Sequence, residues 1–427
     1  MLKKKVYVLD YELISPIAVG AENMIKNIES NFSAEDTISK FSVEGMPYTK
    51  AATVNEDLKP YYDNETDTIK KACQYDRKLE LLAASYGKAS ERLKSLIDLF
   101  EVDKTGVILG VGADVTPFEL YEDQMVSYIK SEINPIEELF THINDNGSRI
   151  NLAGNSYDLY AIYLAKKFNA GAFQKSVLTA CVSSTQAISL AYEAISGGDV
   201  EVVIAGGTDS LINLLAMISF GKLGVIPEAT DAPGCMPFDL NRKGTLAGEC
   251  AGFTILASEE FVRKNNLKPV AQLLGFGNTL DGYKITAPDP SGNSMTQAIK
   301  DAMNSAGLLP EDISYINAHG TGTKHNDALE LNCFEKALGD FAKKIPISST
   351  KDRHGHAIAA AGIQEFCLLM ELMKNNVIPA NLNLKNPCNS DFNLVRENTT
   401  QKINYALTSN FAFGGINTVL AIKNEFK

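Results

Sequence analysis

Three segments of the chain carry residues able to do covalent chemistry. In Thr179-Ala180-Cys181-Val182-Ser183-Ser184 a cysteine follows the strand-like run Ser176-Val177-Leu178-Thr179. A helical pattern comes next, with Ala187, Ile188, Leu190, Ala191, Ala194 and Ile195 recurring before Gly197-Gly198. A cysteine at such an elbow lies beside backbone N–H groups and the positive end of a helix. Both favour the thiolate, so the spacing predicts a lowered thiol pKa. Free cysteine is also a common small core residue, and the elbow alone favours that plainer reading. Two histidine segments change the balance. Asn317-Ala318-His319-Gly320-Thr321-Gly322-Thr323 places a histidine after a strand and before a glycine–threonine loop, with Asp327 and Glu330 beyond. Such a loop lets a thin ligand approach closely and offers it hydroxyls. Ser349-Thr350-Lys351-Asp352-Arg353-His354-Gly355-His356 leads into Ala359-Ala360-Ala361-Gly362 and Glu365. The chain has five histidines, and His319 and His356 both stand in glycine-flanked loops after strands, where reacting groups are commonly presented. A thiol and two imidazoles are the makings of nucleophilic catalysis.

These segments need strands and helices to bring them together. Thr105–Gly110 and Glu201–Gly207 read as strands ending in glycine. Ile313–Asn317 and Ile345–Ser349 read as strands of the second half, and the latter precedes a helix with Ile363, Phe366, Cys367, Leu369, Met370 and Leu372 on its apolar positions. A last strand pair runs through Ala406–Thr408 and Val419–Ile422. The strand–elbow–helix unit at Cys181 thus has a counterpart near His356, a repetition of plan that points to an internally duplicated α/β fold. The break falls near Lys264–Lys268. It divides the chain into an N-terminal half, 1–263, with Cys181, and a C-terminal half, 264–427, with His319 and His356. Asp57–Asp67 and Asp114–Asp145 read as polar or mixed insertions.

Composition sets limits. The 427 residues are 45% hydrophobic and 22% charged, ordinary for a soluble globular protein. A net charge of −12 argues against a nucleic-acid partner. The basic start Lys3-Lys4-Lys5 precedes too short an apolar run for a signal peptide, since Asp10 and Glu12 interrupt it. No stretch approaches the ~20 apolar residues of a membrane span, and a cytoplasmic location is expected. The seven cysteines are scattered and never spaced CxxC, which suits a reducing compartment and no zinc site.

Taken in order, the three segments resemble the elongating β-ketoacyl-ACP synthases. So do Ala205-Gly206-Gly207-Thr208-Asp209-Ser210, Pro237-Phe238-Asp239 with Arg242 and Gly244, and Ser409-Asn410-Phe411-Ala412-Phe413-Gly414-Gly415-Ile416-Asn417. The resemblance spans nearly the whole chain. It implies a thiolase-type fold, two related halves in an α-β-α-β-α layering, usually as a homodimer. It implies that Cys181 takes an acyl group from acyl carrier protein, with the N–H groups of Cys181 and Phe413 as oxyanion donors. His319 and His356 would donate to the enolate formed when malonyl-ACP loses carbon dioxide. Lys351 would keep His319 neutral, with Glu365 as its partner. Thr321 and Thr323 would hold the phosphopantetheine arm, so substrates arrive on that arm and no bound cofactor or metal is expected. His354 and His325 receive no role.

Departures bear on specificity. Thr245 stands where the family has phenylalanine, and Ala412 stands where glycine precedes the gating Phe413. Ile416 replaces a usual threonine, Ala359 a usual glycine, and the family's Thr-Gly after the first strand is missing at Val8-Leu9-Asp10. Thr245 and Ala412 tilt the expectation from fatty-acid elongation towards a dedicated polyketide or polyene pathway. A degradative thiolase would need a second cysteine in the loop Phe413–Ile416. A non-catalytic chain-length partner would lack Cys181, and a starter-unit synthase would carry asparagine at the His356 position. An acidic carrier protein needs a basic landing site, for which Lys70, Lys71, Arg77 and Lys78 are the densest candidates. The dimer partner is either identical or a related subunit.

Overall fold

The computed structural model describes residues 4–113 and 157–426. Its main sheet is built from two sets of strands. The first set is β1 Val6–Ser15, β2 Thr105–Val111, β3 Phe173–Val177, β4 Val202–Ser210 and β5 Glu249–Ser258. The second is β6 Ala271–Leu280, β7 Tyr315–Asn317, β8 Ile347–Ser348, β9 Tyr405–Phe411 and β10 Ile416–Asn424. They lie in the order β8-β7-β9-β10-β6-β1-β5-β4-β2-β3. Numbered within its own set, each half reads 3-2-4-5-1. The directions repeat as well. β2 is parallel to β3 and β4, while β5 is antiparallel to β4 and β1. β7 is parallel to β8 and β9, while β10 is antiparallel to β9 and β6. The halves join where Val6–Val8 of β1 pair with Ala271–Leu273 of β6.

Side-chain alternation along the strands sorts the core into layers. In β4, Val203 and Ala205 face one apolar cluster and Val202 and Ile204 another. In β10, Leu420 and Ile422 share the first cluster, while Val419 and Ala421 face a third. The shared cluster holds two helices, α3 Ser183–Gly197 and α6 Ala361–Asn375. Outside the first set lie α1 Arg77–Ile97 and α2 Asp158–Lys167. Outside the second lie α4 Asn293–Ala306 and α5 Lys324–Leu338. This is the expected α-β-α-β-α layering. It also explains why the strands are apolar on both faces and why every residue of α6 from Ala361 to Met373 is buried.

The insertion expected at Asp57–Asp67 contains a short helix, Lys59–Tyr62, and the start of another, Asp67–Cys73. The one expected at Asp114–Asp145 lies outside the described residues. Among the described residues no helix is long and apolar enough to cross a membrane.

Candidate active site

Each half contributes an elbow after its third strand. Beyond β3, Ala180 takes a left-handed φ of 50° and a single turn of 3₁₀-helix, Ala180–Val182, carries Cys181 into α3. Beyond β8, the chain passes His356 and reaches Ile358, whose φ is 38°. A positive φ is rare without glycine and strained for a β-branched side chain. Packing holds both elbows in place. A Cβ on Gly362 would lie 2.0 Å from Thr185 Oγ1, so glycine is what lets the first turns of α3 and α6 touch. Across that contact the Ile363 N–H donates to Ser184 Oγ at 3.0 Å. Asp209, at the end of β4, accepts from the Ala359 N–H at 3.0 Å.

The elbows therefore face each other. Cys181 Sγ lies 3.1 Å from His356 Nε2. The ring of His319 stands at 83° to that of His356, centroids 5.3 Å apart. The sulfur and one nitrogen of each histidine converge within 4.8 Å. Behind His319 sits Lys351, fully buried, with its ammonium paired to Glu365. The ammonium donates to the His319 carbonyl at 2.6 Å and lies 3.4 Å from Nδ1 of the ring. Glu365 is thus an inward partner of Lys351, not an acid on a helix surface.

Electrostatics here follow burial. Cys181 is only 7% exposed, and burial pushes its thiol up to about 12. Lys351 and the N–H groups of Phe413 and of Cys181 itself all pull the other way and are outweighed. The lowered thiol pKa expected from the elbow is therefore corrected. The stabilising groups are present, but removal from water costs the thiolate more than they return. Burial likewise holds His319 and His356 well below the ordinary 6.5, assisted in both by the Lys351 ammonium. Both imidazoles are neutral at physiological pH, and each offers one N–H.

The loop after His319 is held from behind. Glu330 on α5 accepts from the N–H groups of His319 at 2.7 Å and Gly320 at 2.8 Å. Asp327 accepts from the N–H groups of Gly322 and Phe238. Burial raises Glu330 to about 7 against those donors. The hydroxyls of Thr321 and Thr323 meet at 2.9 Å, and Thr323 is partly exposed at the rim. His354 is buried between Thr350 Oγ1 and its neighbour's carbonyl, and His325 is exposed.

An apolar wall surrounds the thiol. Ile212, Met217, Ile226, Ile358 and Ala412 belong to one cluster with Cys181. Phe413 is partly exposed on a turn whose Gly414 N–H donates to the Ile285 carbonyl. Thr245 is buried beside Ile226, its N–H bonded to the Val225 carbonyl and its hydroxyl without a partner.

The four basic residues proposed for docking divide between surface and interior. Lys71 is exposed and Lys70 half-exposed. Arg77 turns inward, donating twice to the buried carboxylate of Glu249 at 2.7 and 3.0 Å and to Val54. Lys78 is 8% exposed and packs over the ring of Tyr160. An arginine that neutralises a buried carboxylate is structural.

Asn410, Thr185, Asp209, Glu330 and Ile358 complete the site, and the sequence reading gave none of them a role. The available signal was polarity out of place: Thr408, Ser409 and Asn410 are consecutive polar residues in a strand that is buried from Ala406 to Phe411.

Comparison with known proteins agrees with this geometry. Residues 3–261 match the β-ketoacyl synthase N-terminal domain and residues 270–385 the β-ketoacyl synthase C-terminal domain. The chain is 29% identical over 431 residues to 3-oxoacyl-[acyl-carrier-protein] synthase 2 of Coxiella burnetii, covering all of both. It is 28% identical to the Synechocystis enzyme of the same name over 99% of this chain and 98% of that one. A β-ketoacyl synthase from Burkholderia phymatum superposes with a TM-score of 0.79 at 24% identity, over 99% of each chain. A type II PKS ketosynthase solved with its acyl-carrier protein gives 0.80 at 23%, also over 99% of each. These likenesses establish the thiolase-type fold. The chain belongs to the β-ketoacyl synthase family and is an acyl-transferring condensing enzyme.

Proposed function

We propose that this chain is a 3-oxoacyl-ACP synthase in which Cys181 carries the growing acyl group and malonyl-ACP supplies two carbons with loss of carbon dioxide. The observation that carries this reading is the convergence of Cys181, His319 and His356 within 4.8 Å in a buried pocket. The Cys181 sulfur attacks the acyl thioester of the carrier. The S–H proton passes to the departing pantetheine sulfur as the new thioester forms, with His356 Nε2 lying 3.1 Å from the attacking sulfur. The N–H groups of Cys181 and Phe413 oppose the charge of the tetrahedral oxyanion. Malonyl-ACP then enters past Thr321 and Thr323. Its carboxylate leaves as carbon dioxide, and the electron pair passes to an enolate whose oxygen receives N–H groups from His319 and His356. The enolate carbon attacks the acyl-Cys181 carbonyl, the tetrahedral adduct collapses to the 3-oxoacyl-ACP with loss of the Cys181 thiolate, and that thiolate takes a proton from solvent.

The partner is an acyl carrier protein, and the enzyme works as a homodimer or beside a related subunit. The neighbouring complexes support this, one with a carrier protein and one, from Xenorhabdus doucetiae, with a chain length factor. For the pathway, the buried unpartnered hydroxyl of Thr245 and the stiffer Ala412 favour a polyketide or polyene chain. Fatty-acid elongation is the second reading, favoured by the names of the curated relatives.

Incubation with acyl-ACP followed by intact-mass analysis tests the first half: wild type should gain an acyl adduct and Cys181→Ser none. Labelled malonyl-ACP tests the second: His319→Ala and His356→Ala should each acylate yet release carbon dioxide on the order of 10²- to 10³-fold more slowly. An adduct on Cys181→Ser, or wild-type release from either histidine variant, would overturn the roles. A panel of saturated and polyenoyl acyl-ACPs decides the pathway.

A further inference from the structure

Asn410 lies in β9 with its side chain fully buried. Three contacts fix the direction of its amide. Oδ1 faces the Thr185 hydroxyl. Nδ2 donates to Glu365 Oε2 at 2.7 Å and lies 3.2 Å from His319 Nδ1. Glu365, paired with Lys351, accepts only, so the amide nitrogen must be the atom that faces it. A flipped amide would set oxygen against oxygen there and leave the Thr185 hydroxyl facing an N–H. The second N–H of the same nitrogen is then free to point at His319.

We propose that Asn410 is a positioning residue that fixes the tautomer of His319, keeping the ring proton on Nε2, where it can be offered to the reacting oxygen, with Thr185 holding the amide in place. Among the described residues the side chains that meet Nδ1 are donors, the Asn410 amide at 3.2 Å and the Lys351 ammonium at 3.4 Å, which favours a lone pair there. The shorter bonds of Lys351 go to Glu365 and to the His319 carbonyl, which leaves Asn410 as the closer donor to the ring. The opposite tautomer would aim a lone pair at a developing oxyanion and repel it. Thr185 rides on α3 and Asn410 on β9, so the constraint crosses from the half that carries the nucleophile to the half that carries the histidine.

This inference rests on the proposed role of His319, and its test is chosen to fail separately. Asn410→Asp keeps the shape but supplies an acceptor, which draws the proton onto Nδ1. Asn410→Leu removes the donor and leaves Lys351 to orient the ring. Carbon dioxide release should therefore fall further in Asn410→Asp, on the order of 10²- to 10³-fold, than in Asn410→Leu, while acylation of Cys181 stays within a few-fold of wild type. A residue important only for packing gives the reverse order. With five histidines in the chain, ¹⁵N-histidine labelling and long-range ¹H–¹⁵N correlation read the tautomer directly, the His319 signal being the one lost in His319→Ala. Nε2–H in wild type and Nδ1–H in Asn410→Asp are expected. An Nδ1–H form of His319 in wild type overturns the proposal, even if neither Asn410 variant folds. So does a larger loss in Asn410→Leu, or acylation falling together with decarboxylation. Wild type that acylates but releases no carbon dioxide would defeat the parent reading and leave the tautomer measurement intact.

Discussion

Lys351→Met separates the structural from the electrostatic work of one buried charge. Methionine roughly matches the length of lysine and lacks its ammonium. In the wild type that ammonium has no exposed surface and meets Glu365, itself 1% exposed. Removing it leaves the Glu365 carboxylate in the core with the Asn410 amide as its remaining hydrogen-bond donor. Breaking one side of a buried ion pair costs about 3–5 kcal/mol, whereas removing both charges is often near neutral. Lys351→Met should therefore lower the denaturant midpoint clearly, and Lys351→Met with Glu365→Gln should recover most of the loss. The pH profile of malonyl-ACP decarboxylation reads the second effect. Burial is the largest cause holding His319 neutral and the Lys351 charge is the next. In wild type the acid limb should lie well below pH 6.5. With the ammonium gone and Glu365 left negative, imidazolium becomes easier to form, so the limb should move up towards 6.5. In the double variant both charges are gone and burial remains the largest influence, so the limb should move back down. A single variant with an unmoved limb, or a double variant no more stable than the single, would refute this account of the pair.

Three further outcomes can be measured. Burial raises the Asp352 carboxyl from an ordinary 3.8 to about 7; a raised folded pKa means stability present below about 4 and lost as pH climbs through 7. Asp352→Asn should therefore leave the melting temperature unchanged at pH 4 and raise it at pH 8, and an equal shift at both would contradict the assignment. Arg77→Ala strands the buried carboxylate of Glu249 and should cost about 3–5 kcal/mol in chemical denaturation, whereas Lys71→Glu on the exposed side should leave stability unchanged within about 0.5 kcal/mol; the opposite ranking would restore Arg77 to the surface. Thr245→Phe fills the place beside Ile226 and should shift preference in an acyl-ACP panel towards saturated chains, a result excluded if wild type already prefers them.

The fold was legible wherever a strand ran into a chemically loaded turn. The elbows at Cys181 and His356 could be read because glycine, cysteine and histidine interrupt apolar runs there, and both proved to follow the third strand of a half. The long strand β5 and the helices α1, α4 and α5 left weaker marks. β5, Glu249–Ser258, is covered on both faces, so its pattern shows no alternation to separate it from a buried helix. The triad was legible by residue type, but its support was not. Asn410 and Thr185 act through a contact between halves 225 positions apart in sequence. The basic cluster is divided between surface and interior for a related reason. Lys70, Lys71, Arg77 and Lys78 are adjacent in the chain, but Arg77 and Lys78 open α1 on the side that faces the sheet, where Glu249 waits.

The raised thiol pKa of Cys181 is compatible with nucleophilic work once the proton is followed. Thioester exchange begins with one thiol and ends with another, so no net charge has to be created if the proton crosses as the sulfur attacks. A neutral thiol suits that direct transfer, and a resting thiolate is not needed. The same burial that withholds the thiolate strengthens every N–H aimed into the pocket, because a donor in a medium of low polarity acts on a nascent oxyanion with little screening.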